Sequence, residues 1–441
     1  MRILLVNPWI HDFAAYDFWL KPLGLLYLGA YLKALGHEVF LIDLLNRHDP
    51  ELRNFVRVPK DKFYGTGKFP SKVIEKPEVL SGIPRKFKRY GAPEEFFERR
   101  LESIGRIDLV MVTSSMTYWY HGVWKTIEFL KERLNVPIVL GGIYTRILPR
   151  HAEKSPADLV FHLSDLNVLN DFLRNRIGMN IGRCDCDWFS DLDPAYELYE
   201  RVGYLVFMTS LGCPFNCTYC MTPKMWKFKK RDPKRVVEGI VRYVEMFNVE
   251  DVVFFDDAFL VNRKHVVKLL KNLIGAKLKV RYHLPNGVHA RLLDEEIANL
   301  MKEANFKTVK LGYETSGYLQ EKTGGKVYDE DLIRAVRILK RVGFTSEEVS
   351  AYVMINMPGQ SPEDVIEAVN VCKKVGIRVN LNEYTPIPGT RDWYELVSSG
   401  SIDPDVDPLL LNNSILPFWW KGGMDYSTVE KLKEYTRNGR I

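Results

Sequence analysis

The sequence reads as two consecutive α/β units: a doubly wound parallel sheet over residues 1–175, then a partial (β/α)6 barrel over 204–395. Three observations predict this. Apolar strand-length runs alternate with segments of helical period along 1–175, and the same rhythm restarts at 204. Such alternation implies parallel sheets with helices on their faces. Between the two rhythms, residues 176–203 carry Gly178, Gly182 and an Asp-rich run at 185–193, which reads as a linker. A chain of 441 residues is also too long for one ordinary core.

In the first unit, strands are expected at 2–7, 37–43, 107–113, 136–140 and 159–163. Leu25, Leu26, Leu28, Tyr31 and Leu32 recur at helical spacing within 22–35, and Gly36 closes that helix. A second helix is expected over 123–134. Residues 50–100 break the rhythm. They are rich in Lys, Arg, Pro and Gly yet hold Phe55, Phe63, Tyr64, Phe69, Phe87 and Tyr90, so they read as an ordered insertion. Ligands of such sheets bind beyond the carboxyl ends of the strands, here near Asn7-Pro8, Ser114-Ser115-Met116-Thr117 and Gly141-Gly142-Ile143-Tyr144-Thr145.

In the second unit, strands are expected at 204–209, 251–255, 280–283, 308–312, 349–355 and 378–383. Asp232 with Pro233, Asn262, Asp294 and Ser361 followed by Pro362 mark the starts of intervening helices. Residues 396–441 form a C-terminal extension. Its Phe418, Trp419 and Trp420 read either as packing or as the wall of a pocket.

The 62 basic and 56 acidic residues leave a net charge of +6, mild for this length, so no nucleic acid is expected as a partner. The densest basic stretch, Lys224 to Arg231, reads as a solvated loop. No apolar run approaches the ~18 residues needed to span a bilayer. The start, Met1-Arg2-Ile3-Leu4-Leu5-Val6, reads as a buried strand and not a signal peptide. The cytoplasm is the expected compartment, and reduced thiols fit it. Cys184 and Cys186 read as linker thiols, since two ligands do not close a metal site. Cys372 lies on a helical face and reads as core.

The remaining cysteines, Cys213, Cys217 and Cys220, form C-x3-C-x2-C. Zinc sites favour paired C-x2-C knuckles or a distant His pair, and neither is present. Three thiolates on a four-iron cluster leave one iron open, and an open metal position is the mark of a reaction centre.

The run Thr209-Ser210-Leu211-Gly212-Cys213 through Cys220 resembles the cluster loop of the radical SAM superfamily, with Leu211 where many relatives carry Arg. The resemblance implies a [4Fe-4S] cluster on Cys213, Cys217 and Cys220. It implies S-adenosylmethionine on the fourth iron, reductive cleavage to a 5′-deoxyadenosyl radical, and an external electron donor such as flavodoxin or ferredoxin. Tyr219 matches the aromatic beside the adenine. Asp256 and Asp257, after the second strand, are expected to hold the methionine ammonium through backbone or carboxylate. Glu314 is expected to accept from ribose hydroxyls or the amine. Asn356, in place of a Gly in a Gly-Pro-Gly-like turn, and Pro386 are expected to line the adenosyl pocket. His283, after the third strand, reads as a structural histidine or a donor to substrate.

The first 175 residues resemble the cobalamin-binding domain that precedes many radical SAM cores, a flavodoxin-like sheet. Pro22-Leu23-Gly24-Leu25, Gly36-His37-Glu38-Val39 and Gly141-Gly142-Ile143-Tyr144 carry the likeness. It implies cobalamin against Ser114, Ser115, Gly141 and Gly142, and transfer of a methyl group to an unreactive carbon. There is no D-x-H-x-x-G to place a histidine on cobalt. His162-Leu163-Ser164-Asp165-Leu166 stands where relatives often have Gly-Glu-Gly. The alternative is a radical enzyme without cobalamin that performs rearrangement, cyclisation or C–C bond formation. A methylthiotransferase would need front-domain cysteines, and residues 1–183 have none. The substrate class left open is a small molecule, lipid-like compounds included.

Overall fold

The computed structural model describes residues 1–163 and 165–438. It divides into two compact units: Met1–Leu205 with Asp407–Leu410, and Val206–Val406 with Leu411–Ile441. The expected linker is folded into the first unit: Phe189 and Tyr196 are fully buried, and Tyr199 donates to Asp43 at 2.6 Å. Its aromatics, hidden among the Asp and Gly of the sequence pattern, are what anchor it.

The first unit is built on β1 (Arg2–Asn7), β2 (Glu38–Asp43), β3 (Leu109–Val112), β4 (Ile138–Leu140) and β5 (Leu159–Val160). All neighbours pair in parallel, in the spatial order 2-1-3-4-5. This is the flavodoxin-like doubly wound order, whose switch point lies between β1 and β3. Ile3, Leu4, Leu5 and Val6 are completely buried, as a central strand covered on both faces requires. Helix α1 (Leu23–Ala34) ends at Gly36, whose φ of +83° turns the chain into β2. The edge strand β5 stops at Val160, short of the expected 163, because only Leu159 and Val160 pair with β4.

The insertion is ordered but narrower than 50–100. It folds as a three-stranded antiparallel sheet of Ile10–Asp12, Lys88–Tyr90 and Ser71–Val73. Its last residues belong to α2 (Glu94–Ile104), the crossover from β2 to β3. Helix α3 (Tyr120–Lys131) starts three residues earlier than its sequence pattern suggested. The Cys184–Cys186 pair is a disulfide, not two reduced linker thiols: one intervening residue leaves the Cα atoms 5.2 Å apart, inside bridging range.

The second unit is a parallel six-stranded sheet in sequential order: β6 (Leu205–Phe207), β7 (Asp251–Phe254), β8 (Arg281–His289), β9 (Phe306–Glu314), β10 (Val349–Ile355) and β11 (Arg378–Glu383). Helices α4 (Pro233–Phe247), α5 (Arg263–Gly275), α6 (Glu295–Glu303), α7 (Asp329–Arg341) and α8 (Pro362–Lys374) are the crossovers. Asp232, Asn262, Asp294 and Ser361 cap α4, α5, α6 and α8 with side-chain acceptors, as expected. Cys372, on α8, is completely buried, as expected of a core residue.

The main departure is β8. The sequence pattern ends it at His283, before Pro285. The strand instead continues to His289, and its pairing with β9 slips between Leu284 and Val288. Proline removes a ladder donor, and a bulge absorbs the loss. His283 therefore lies near the amino-terminal end of the barrel. It is fully buried, with Nε2 3.0 Å from Asp251 Oδ1 and Nδ1 2.9 Å from Thr308 Oγ1. It is structural and does not face substrate.

The C-terminal extension completes this unit. Trp420, Leu416 and Leu411 pack with Met357, Tyr384 and Trp393, so Trp420 is core and not a pocket wall. Helix α9 (Tyr426–Asn438) places Val429 and Leu432 against Val365 and Val369 of α8. Residues 439–441 and Ser164 lie outside the described residues. Among the described residues, no helix is long and apolar enough to cross a membrane.

Phe254, Tyr282 and Phe306 form the aromatic centre of the second unit, with ring centroids 5.4 to 6.1 Å apart. Phe254→Ala should cost about 3–5 kcal/mol. It should lower the urea midpoint of this unit's unfolding, read by tyrosine and tryptophan fluorescence.

Candidate functional site

The cysteine loop springs from the carboxyl end of β6. Ser210 and Leu211 pair antiparallel with Lys230 and Lys229, so residues 212–228 form a loop tied at its neck. Gly212 has φ +82°, and a Cβ there would stand 2.8 Å from the Trp226 carbonyl oxygen, so the neck admits only glycine. The expectation of a solvated basic loop holds for Lys224, Lys227 and Lys230, which are exposed, and fails for Arg231. Lys229 and Lys230 are strand residues, and Arg231 is 1% exposed with its backbone N–H on Thr209 O at 2.8 Å.

The two acids after β7 brace the neck. Asp256 is 2% exposed and accepts from four donors: the N–H and hydroxyl of Thr209, and the N–H and hydroxyl of Ser210. Burial raises its carboxyl pKa, and these hydrogen bonds pull it back. Asp257 Oδ2 accepts from the Gly212 N–H at 2.9 Å. Its burial pushes it up to about 6, against the pull of that hydrogen bond. The side chains expected to meet a ligand ammonium are thus committed to the loop. A carboxylate is the acceptor that can take four donors at once.

Cys213, Cys217 and Cys220 are free thiols, with Cys217 buried and the other two partly exposed. Burial raises the pKa of Cys213 and Cys217, Lys326 opposes it, and the neighbouring thiols of the trio add to it. Among the described residues no three Cys, His, Asp or Glu side chains stand close enough to hold a metal ion as they are placed; thiolates on one short loop repel one another unless a cation sits among them. Thr323 accepts from the Thr218 N–H at 3.3 Å, and Gly324, at φ +112°, lies flat against Asn216 and Cys217. Tyr219 is partly buried against Met357, Tyr384 and Trp393, with its hydroxyl bonded to Cys217. Burial raises its pKa well above the ordinary value.

Glu314 ends β9 with φ +71°, a left-handed backbone costly for a side chain of its kind. Its Oε1 lies 4.0 Å from Lys326 Nζ. Burial raises its pKa and Lys326 opposes the shift. A Cβ on Gly312 would stand 3.1 Å from both of those atoms. Asn356 has φ +72°, which explains why Asn can stand where a glycine was expected. Its Oδ1 accepts from the Met424 N–H at 2.5 Å, so its side chain anchors the C-terminal segment and does not point at a ligand. Pro386 is buried in the loop after β11. That loop meets the cysteine loop: Asp392 N–H donates to Thr218 O at 3.2 Å, and Lys224 Nζ to Gly389 O at 2.6 Å.

Two residues near the cysteines escaped the sequence reading. His289 stacks on Phe215, between Cys213 and Cys217, with ring centroids 4.0 Å apart and planes inclined by 23°. Lys326 lies within electrostatic reach of Cys213, Cys217, Glu314 and His289. The signal for Lys326 was the Gly324-Gly325 turn before it; His289 was hidden by the early end assigned to its strand.

In the first unit, Ser114 Oγ donates to Gly141 O at 2.6 Å, and the Ile143 N–H to Ser114 O at 2.8 Å. A Cβ on Gly142 would fall 2.2 Å from Ser114 O. Ser114, Gly141 and Gly142 therefore lace the loops after β3 and β4 together, and Ser115 is half-buried beside them. Three apolar side chains within segments the sequence singled out stand exposed just after β3, β4 and β5: Met116 at 48%, Ile143 at 42% and Leu163 at 47%.

Residues 207–372 match the Radical SAM superfamily, and this part of the chain is a radical SAM domain. An uncharacterised methyltransferase of Pyrococcus horikoshii is 26% identical over 254 residues, 55% of this chain and 51% of the relative. The anaerobic magnesium-protoporphyrin IX monomethyl ester cyclase of Rubrivivax gelatinosus is 28% identical over 419 residues, 90% of this chain and 70% of the cyclase. The chain spans about half the length of the first curated relatives it matches. Among solved structures, the radical S-adenosylmethionine methyltransferase TsrM of Kitasatospora setae shares the fold, with a TM-score of 0.65 and 18% identity over 90% of this chain and 76% of its own. TsrM has been solved with tryptophan and an S-adenosylmethionine analogue, and with cobalamin and a [4Fe-4S] cluster. The fold is thus a flavodoxin-like doubly wound sheet followed by a partial (β/α)6 barrel.

Asp256→Ala should leave four donors without an acceptor and cut the iron bound after anaerobic reconstitution several-fold, measured by iron and sulfide analysis. Asp257 ionises near 3.9 when unfolded and about 6 when folded. The folded state therefore holds the extra proton between those values, and this group's contribution to stability falls as pH rises through that window. Asp257→Asn should flatten the corresponding slope of melting temperature against pH, read by differential scanning calorimetry.

Proposed function

We propose that the chain is a radical S-adenosylmethionine enzyme, and specifically a cobalamin-dependent C-methyltransferase. The observation that carries the first part is the trio of free cysteines on a tied loop, beside Lys326 and Glu314. Three thiolates and a cation suit an iron–sulfur cluster with one open iron. When bound, the cluster supplies an electron to the sulfonium of S-adenosylmethionine, and a corrinoid supplies a methyl group.

The chain's own residues hold and orient. Cys213, Cys217 and Cys220 ligate three irons. Asp256 and Asp257 keep the loop neck rigid, so the open corner faces one way. Glu314 accepts from the amine or ribose hydroxyls of the bound nucleotide, and its left-handed backbone aims the carboxylate there. Tyr219 and Pro386 form apolar wall against the adenine. In the first unit, Met116, Ile143 and Leu163 present apolar surface at the carboxyl ends of adjacent strands, which suits a broad flat ring. Ser114, Ser115, Gly141 and Gly142 form the polar floor between them.

The substrate is a small molecule, lipid-like ones included, and the electron donor an external flavodoxin or ferredoxin. The compartment is the cytoplasm. A second reading is a radical enzyme without cobalamin that closes a ring or forms a C–C bond; the cyclase relative, aligned over 90% of the chain, supports ring closure as such.

Cys217→Ala should abolish both the cluster absorbance and formation of 5′-deoxyadenosine under reducing anaerobic conditions, followed by liquid chromatography. Protein purified after growth with cobalamin should carry about one corrinoid per chain; full cluster with no corrinoid would select the second reading. Ile143→Asp should lower corrinoid content without changing iron content.

A further inference from the structure

His289 is 2% exposed, and neither ring nitrogen has a hydrogen-bond partner. A buried imidazole left so is costly, and native buried polar groups are almost always paired. The place of the missing partner can be read from the strand pattern. His289 is opposite Gly312 in the β8–β9 register, and a Cβ on Gly312 would stand 3.1 Å from Glu314 Oε1 and from Lys326 Nζ, so the histidine lies on the side of the sheet where those two groups stand. It faces the lumen at the barrel mouth. Its ring lies under Phe215, two residues from Cys213 and two from Cys217.

Its remaining surroundings are cationic. Lys326 and Arg291 are the charged groups acting on it, and with burial they hold the imidazole neutral, at about 2. A neutral imidazole keeps one N–H to donate. Phe215 closes one face of the ring. The opposite strand offers only Gly312, where a side chain would collide with Glu314 and Lys326. That leaves the space beside the cysteine loop as the place where an acceptor can reach the ring edge.

We propose that His289 is a positioning residue whose N–H donates to an acceptor atom of the assembled cluster–nucleotide centre. Two acceptors have the required chemistry: a sulfur of the cluster, where hydrogen bonds raise the reduction potential, or an oxygen of the nucleotide bound at the open iron. The inference rests on the cluster and S-adenosylmethionine reading above.

The test uses the full-length, anaerobically reconstituted protein and its His289→Phe and His289→Gln variants. Phenylalanine keeps the ring stacked on Phe215 and removes the donor; glutamine retains a donor. Iron and sulfide content first establish that each variant carries a full cluster. The midpoint potential is then measured by EPR-monitored titration without S-adenosylmethionine, and the affinity for S-adenosylmethionine from its perturbation of the reduced-cluster signal. A more negative potential in His289→Phe, partly restored in His289→Gln, supports the inference with sulfur as acceptor. An unchanged potential with affinity weakened roughly tenfold, again partly restored by Gln, supports it with the nucleotide as acceptor. His289→Phe with full cluster, unchanged potential and unchanged affinity overturns it and makes the histidine packing alone. A His289→Phe that loses its cluster while His289→Gln keeps the wild-type potential and affinity supports a donor needed for assembly; loss in both overturns it in favour of a steric role. Failure of the wild-type protein to assemble any cluster is a distinct result and overturns the underlying reading instead.

Discussion

A single buried carboxylate sets the geometry on which the second unit's chemistry depends. Asp256, at the end of β7, gathers the N–H and hydroxyl groups of both Thr209 and Ser210. It thereby fixes where the chain leaves β6 for the cysteines. Burying a carboxylate is costly unless hydrogen bonds replace its water, and four donors do so here. The short ladder between 210–211 and 229–230 closes the same neck from the other side. A loop of this length would otherwise sample many arrangements. Tied at both ends, the loop keeps its three cysteines within one short closed segment.

The rest of the mouth is built from backbone in unusual conformations. Gly212, Gly324, Gly359 and Gly389 all have positive φ, and so do Glu314 and Asn356. Glycines let the backbone approach the cysteine loop closely, as Gly324 does against Cys217. Glu314 and Asn356 bear a strain that ordinary strand ends lack, and residues in such conformations concentrate at functional sites. In Asn356 the strain serves the C-terminal segment, through the Met424 N–H. In Glu314 it serves the lumen, where Lys326 stands opposite. The first unit shows the same economy: Ser114 and Gly142 are pressed together so that apolar side chains on neighbouring loops reach the surface.

Much of this was legible because local signals agreed. The caps Asp232, Asn262, Asp294 and Ser361 marked helix starts that the structure reproduces, and β10 and β11 have the bounds their residue patterns predict. The cysteine spacing singled out the loop whose neck the structure ties between 210–211 and 229–230. The misreadings have a common origin. Pro285 looked like the end of a strand, yet pairing with β9 carried β8 past it through a bulge. Residues 176–203 looked like a linker, yet Phe189, Tyr196 and Tyr199 found partners far back in the chain. The turn at Asp256 was expected to meet a ligand through backbone or carboxylate, and the carboxylate's partners lie 46 and 47 residues earlier.

What the sequence determined by itself was the order of strands and helices, the cap positions and the three thiols, because each depends on neighbours a few residues apart. Only the tertiary structure decided which polar groups spend themselves on the scaffold and which remain for a ligand. That choice depends on long-range pairing: Asp256 is consumed by Thr209 and Ser210, His283 by Asp251 and Thr308, and Asn356 by Met424. His289 alone of these reaches the mouth unclaimed, because a bulge no local pattern announces carries its strand there.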